Sequence, residues 1–278
     1  MVLGMGISIE KQGFSNYSKV QELCRSNSEK YNFLACQVLT YHGSANQGDG
    51  SGVKIPANAP SLLKISKIKD QFNSASGTEP AIQKLMSVFN DVRLGLNFLH
   101  SEGFAHLQVC PTNIIVSKGL GILKGFKALS YFIGKDIHQK VFIGNADAYR
   151  SIFSREDPTF DQAIGEDRYS FSVSLLQVFH EFTKNSDLKE FSPDDEREYK
   201  DKNKYEYRVN MIVKFAATIA GSMLSEASEE VVHPVFINAE DFFHHKSKIK
   251  DMTETQIVDE YVDKQWTQLG ELLVLMGN

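Results

Sequence analysis

The sequence predicts an α+β domain dominated by helices, and three observations carry that expectation. Four segments between Ile82 and Met276 repeat apolar residues at three- and four-residue spacing, the period of an amphipathic helix. Strand signals are few, limited to one apolar run before residue 42 and one short hairpin after residue 112. The intervening stretches are rich in Gly, Pro, Asn, Ser or mixed charge, as loops are.

Residues 1–30 are weakly patterned, with a short helix predicted over Ser15–Cys24. Tyr31–Tyr41 reads as a strand, because it is apolar, bounded by polar clusters and short for a buried helix. Residues 42–60 read as a loop. Its Gly48-Asp-Gly50-Ser-Gly52 invites comparison with a phosphate-cradling turn, but no Gly-Lys-Ser/Thr follows. Pro56 and Pro60 also interrupt any helix that would point its N-terminus at a phosphate. Thr78 is placed to cap a long helix, with Pro80 in its first turn, where a missing N–H costs nothing. Ile82, Leu85, Met86, Phe89, Val92, Leu96 and Leu99 give that helix one apolar face, and Gly103 ends it.

Asn113–Val116 and Ile122–Lys124 then read as a hairpin joined by Lys118-Gly-Leu-Gly121. A second helix is expected to start near Asp167 as N-cap, just after Gly165, and to turn Val173, Leu176 and Phe179 inward. Charges of both signs crowd residues 184–208, which read as a solvated insertion. A third helix buries Val209, Ile212, Val213, Ala216, Ile219, Ala220, Met223 and Leu224 on one face. The last starts at Thr253, with Gln256 three residues on in a capping-box pattern, and carries the stripe Val258, Val262, Trp266, Leu269, Leu273 and Met276.

The composition narrows the function. In 278 residues the net charge is −5, which argues against a basic footprint for nucleic acid or anionic lipid. No stretch approaches the roughly 20 apolar residues that span a bilayer. The start MVLGMGISIEK has neither a basic head nor an apolar run, so no signal peptide is expected, and Val2 breaks the myristoylation pattern. Cys24, Cys36 and Cys110 are scattered without a Cys-x-x-Cys pair, which fits a reducing, intracellular setting, cytoplasmic or organelle-associated. His244 and His245 are adjacent and His233 has no ligand at metal spacing, so neither a metal nor another cofactor is expected.

One constellation carries chemical information. Leu96-Asn-Phe-Leu-His-Ser-Glu-Gly-Phe-Ala-His106-Leu-Gln-Val-Cys-Pro-Thr-Asn113-Ile-Ile-Val116 resembles the catalytic-loop segment of protein kinases, where His-Arg-Asp-Leu-x-x-x-Asn follows a long helix. His106 falls on the His, Leu107 on the Arg, Gln108 on the catalytic Asp, Pro111 on the usual Pro and Asn113 on the metal-binding Asn. Lys124-Gly125-Phe126-Lys127 falls where Asp-Phe-Gly belongs, with Gly125 in place of the Asp. Asp167-Arg-Tyr-Ser-Phe-Ser172 is similar to the opening of the kinase helix that holds the loop from beneath. Met223-Leu224, His233-Pro234 and Phe242-Phe243 resemble the closing helices. Within the superfamily, the degraded loops are most similar to those of the Scy-like pseudokinases.

The resemblance implies a kinase-like fold, mainly the helical large lobe with a much reduced small lobe. The division would be a small-lobe remnant and loop over 1–60, the large lobe over 61–250 and an amphipathic helix over 251–278. It also implies a catalytically dead centre. Gln108 cannot serve as the base that takes the acceptor proton, and Gly125 has no side chain to hold Mg²⁺. No Gly-rich lid or Val-Ala-Ile-Lys strand precedes them. Catalytic residues are therefore none, His106, Gln108, Asn113 and Gly125 being degenerate positions, and ATP binding is not expected. His106 is expected to pack under the loop and bond a carbonyl, Asn113 to start the strand, Phe126 to enter the core and Asp167 to bond loop N–H groups.

The stripe at Val262, Trp266, Leu269 and Leu273 reads either as core packing or as a partner face, and it supplies the partner-binding candidates. The function implied is a protein-interaction scaffold or a subunit of a larger assembly, with a role in intracellular membrane traffic. A divergent kinase with weak ATP binding, using acids such as Asp161 or Glu166, is the alternative. A lobe without its usual cover is expected to leave apolar surface exposed around His106–Asn113, Val116 and Leu123, to be covered by a permanent protein partner.

Overall fold

A computed structural model describes residues 59–72, 78–117, 119–125, 128–133, 136–137, 147–154, 157–183, 204–225 and 251–277. The expectations for Ser15–Cys24, Tyr31–Tyr41, residues 42–58, Phe126, Lys127, residues 184–203, His233-Pro234 and Phe242–His245 lie outside them. The described residues form a mixed α+β structure, mostly helical, with two small antiparallel sheets.

Helix α1 (Ile65–Phe72) leads to α2 (Thr78–Ser101), whose first turn holds Pro80 as expected. All seven residues of the predicted apolar face of α2 are at most 1% exposed. The burial goes further round the helix than one face, because Ala81, Val88, Phe98 and Arg93 are also covered. The hairpin explains part of this. Strand β2 (Ile114–Ser117) pairs with β3 (Leu120–Leu123), in register Ile114 to Leu123, and Gly119 near its tip takes φ +81°. A Cβ on Gly121 would overlap the carbonyl oxygen of Val88, so glycine lets β3 lie directly on α2. The Gly121 N–H donates to buried Asp91 of α2 at 2.9 Å.

The apolar surface expected to be bare around Val116 and Leu123 is covered. Both are 1% exposed, as is Leu107, and Val109 is fully buried. Helix α2 supplies part of the cover, Leu107 packs with Ala105, Ala128, Phe132 and Ala163, and the chain's own segment before α1 pairs along the free edge of β2. Leu62 N–H donates to the Ile114 carbonyl at 2.8 Å, and Val116 N–H to the Pro60 carbonyl at 3.0 Å. Backbone pairing at Ser61–Ile115 thus extends the hairpin by a short third segment, with Leu62 fully buried beside it.

A second sheet orders β1 (Phe104–Ala105), β4 (Ser130–Ile133) and β5 (Asp136–Ile137), with β4 in the middle. Helix α3 (Phe160–Thr183) begins well before Asp167, which lies in its interior and caps nothing. The start is instead marked by Thr159, whose N–H donates to Gln162 Oε1 at 2.9 Å while its hydroxyl accepts from Gln162 N–H at 3.4 Å. This helix is buried nearly all round, from Ala163 to Val178. Its serines turn inward on backbone carbonyls, Ser174 Oγ to Ser170 at 2.7 Å and Ser172 Oγ to Arg168 at 2.8 Å.

Helix α4 (Lys204–Ser222) starts inside the stretch 184–208 that read as solvated insertion. The Thr253–Gln256 capping box is present. A short turn, Glu254–Gln256, passes through a π-helical segment, Ile257–Val262, into helix α5 (Asp263–Gly277). The stripe offered as a partner face is interior. Val262, Leu269 and Leu273 are fully buried, Met276 is 1% exposed and Trp266 3%. They join one core with α2, α3 and α4. Phe171 of α3 is the hub, with ring centroids 5.5 Å from Phe89 and 5.0 Å from Trp266, both edge-on. The Trp266 indole N–H donates to Asn97 Oδ1 of α2 at 3.0 Å. The indole is thus satisfied within the chain while the apolar stripe packs into the common core.

Candidate functional site

Between α2 and the hairpin the chain makes one tight excursion, residues 102–113. Gly103 at φ +80° lets the backbone leave α2, and its N–H bonds the His100 carbonyl at 3.1 Å. β1 then delivers His106 and Leu107 to the flank of α3. Leu107 sits at φ +57°, in a left-handed conformation unusual for a bulky residue. What holds it there is Asp167, fully buried, whose Oδ1 accepts from Leu107 N–H at 2.7 Å and whose Oδ2 accepts from His106 N–H at 2.8 Å. His100, at the end of α2, points its Nε2 at the same Oδ2 at 2.9 Å. One carboxylate on α3 therefore gathers the end of α2 and the start of the loop.

His106 continues the network outward. Its Nδ1 accepts from Gln108 N–H at 3.2 Å, which places the ring proton on Nε2, and Nε2 donates to the Lys124 carbonyl at 3.1 Å. Complete burial lowers its pKa to about 4, outweighing the opposing pull of Asp167 and of the Lys124 carbonyl. The ring is a neutral cross-brace between the loop and the strand end, with both nitrogens engaged.

Asn113, half-buried, closes the loop by donating from Nδ2 to the Gln108 carbonyl at 2.8 Å. Its own carbonyl accepts from Lys124 N–H at 2.7 Å, extending the hairpin ladder by one bond. Gly125 faces it at φ +87°. A Cβ at that position would stand 2.5 Å from Asn113 Cγ and 2.6 Å from both amide heteroatoms. Cys110 is half-buried at the loop's far end, and burial pushes its thiol pKa up.

The structure thus brings together His106, Gln108, Asn113, Gly125 and Asp167 from three separate stretches of sequence. Phe126 lies outside the described residues. Val262, Trp266, Leu269 and Leu273 are elsewhere, in the core between α5 and its neighbours.

Two residues have supporting roles that the sequence reading did not assign, Glu166 having been named there only as a candidate acid. His100 belongs to the Asp167 cluster, and its only sequence signal is its place in the last turn of a long helix. Glu166, adjacent to Asp167, accepts from Ser151 Oγ at 2.5 Å and from Ser151 N–H at 3.1 Å. Burial first of all raises its pKa. This buried acid is committed to anchoring residues 150–153, and Ser170 of the same helix bonds the Tyr149 carbonyl at 2.7 Å. Asp161 is exposed in the first turn of α3.

Among the described residues no group of three His, Cys, Asp or Glu side chains is placed to hold a metal ion, and no helix is long and apolar enough to cross a membrane. In comparisons with known proteins, no family model and no curated sequence matches the chain.

Proposed function

We propose that the chain is a catalytically inactive, protein-kinase-like domain that acts as a protein-interaction scaffold or as a subunit of a larger assembly. The observation that carries this reading is the fit of Asn113 against Gly125. In the kinase pattern both positions hold Mg²⁺. Here the Asn113 amide fills the space that a side chain at Gly125 would need. The acidic ligand is thus missing and its space is occupied.

The loop is nevertheless held firmly, by a buried carboxylate beneath it and a neutral histidine bracing it. This supports a domain kept for its shape. A role in intracellular membrane traffic follows only from the similarity to Scy-like loops.

The test is nucleotide binding and transfer on the full chain. A ligand at a hundred times its Kd stabilises by about 2.7 kcal/mol. Millimolar ATP with Mg²⁺ is expected to leave the melting temperature unchanged, with no phosphate transferred to a general substrate. The second arm is co-purification from the native source, where a stoichiometric complex that survives gel filtration is expected. A saturable rise in melting temperature with Mg²⁺–ATP, or a chain that retains no protein, overturns the proposal.

A further inference from the structure

We propose that the groove between α2 and α5 docks a partner protein segment that presents an Asp or Glu carboxylate beside an aliphatic side chain, with Arg93 as the carboxylate receptor. The proposal rests on the interaction-module reading above and gives the partner its chemistry.

The groove has a volume of about 600 Å³, and Arg93, Asn97, Trp266, Gly270, Val274 and Leu275 line it. Arg93 is 9% exposed. Among the described residues its one hydrogen bond runs from Nη2 to Asn90 Oδ1 at 3.3 Å, and its Nε has no partner. A guanidinium carries five donors and keeps its charge, so burial beside a single neutral amide leaves an uncompensated cation. Burial also lowers its pKa, the direction expected of a cation short of an anion.

The position is built into the packing of two helices. A Cβ on Gly270 of α5 would overlap the Arg93 guanidinium, so glycine there makes the slot in which it lies. Glu271 stands at the groove edge, exposed, and forms no ion pair with Arg93. Beside the cation the surface turns apolar, with Val274 40% and Leu275 48% exposed, two of the few large hydrophobic side chains left open among the described residues.

Charge complementarity therefore selects a carboxylate, and the flanking aliphatic surface selects a peptide over a free anion. The net charge of −5 works against polyanions, so recognition here is local to one buried cation.

The experiment selects displayed random heptapeptides on the full chain and measures the affinity of synthesised winners by fluorescence anisotropy. Winners are expected to place Asp or Glu next to Leu, Ile, Val or Met. Changing that acid to its amide should weaken binding at least about ten-fold, and Arg93→Met should do the same. Leu275→Asp, on an exposed side chain that leaves the fold intact, should weaken it comparably and decides the matter if Arg93→Met fails to fold. Lys264→Ala, on another part of α5, should change nothing. An absence of winners, winners without a carboxylate, or affinities indifferent to both groove substitutions would overturn the proposal. Peptides that bind while ignoring both substitutions leave the interaction reading standing. Mg²⁺–ATP binding would instead overturn that reading and leave the groove.

Discussion

Replacing Asp167 with Ala tests the architecture of the loop most directly. The carboxylate is fully buried and serves three partners: the N–H groups of His106 and Leu107, at 2.8 and 2.7 Å, and His100 Nε2 at 2.9 Å. Alanine leaves two buried backbone donors unpaired, at about 1–3 kcal/mol each, and removes a charge-assisted bond to the histidine. Relief of the buried charge offsets part of this, so the net expectation is about 3–5 kcal/mol.

Asp167→Asn keeps one acceptor and sets an amide N–H against a second donor, for an intermediate loss of about 2 kcal/mol. His100→Phe removes one partner only, for about 1–2 kcal/mol, and a double-mutant cycle with Asp167→Asn should give clear coupling. Urea unfolding reports these values, followed by circular dichroism and by the fluorescence of Trp266, the one tryptophan of the chain. Asp161→Ala, on the exposed first turn of the same helix, is the control and should stay within about 0.5 kcal/mol. If Asp167→Ala is as mild as the control, the carboxylate does not hold the loop and the reasoning fails.

Four further outcomes are expected. Gly125→Asp should destabilise by about 2–4 kcal/mol, through a left-handed backbone and overlap with the Asn113 amide, and Asn113→Ala should recover part of the loss in thermal unfolding. The double variant Gln108→Asp with Gly125→Asp should still transfer no phosphate from radiolabelled ATP. His106 ionises near 6.5 when unfolded and near 4 when folded, so the unfolded chain binds more protons between those values. Stability from this group is complete above pH 6.5 and falls by about 3 kcal/mol as pH drops through 4; the difference from His106→Leu across a pH series of urea titrations isolates it. Trp266→Ala should destabilise the isolated chain by about 3–5 kcal/mol in the same titrations, as a core residue does, whereas a partner face would leave the isolated chain unaffected.

Local sequence determined the elements whose cause is local. The apolar period from Ile82 to Leu99 and the Thr253–Gln256 box place their helices because spacing and caps act within a few residues. The hairpin emerges likewise, since Gly119 at φ +81° supplies the turn that the flanking apolar residues need. The start of α3 was misplaced, because Gly165 and Asp167 drew the expected cap to the middle of a helix that begins after Thr159.

Only tertiary structure decided what those elements do. Local spacing alone reads Asp167 as a cap, and only the resemblance pointed to the loop N–H groups; it becomes a buried clamp because residues sixty positions earlier bring those N–H groups to it. The Trp266 stripe looks identical as core or as interface until Asn97 and Phe171 arrive to satisfy it. The same holds for Arg93, whose burial beside Gly270 depends on two helices meeting that lie far apart in the chain. Periodicity tells a helix which face is apolar, but the identity of the surface that covers that face is a property of the assembled fold.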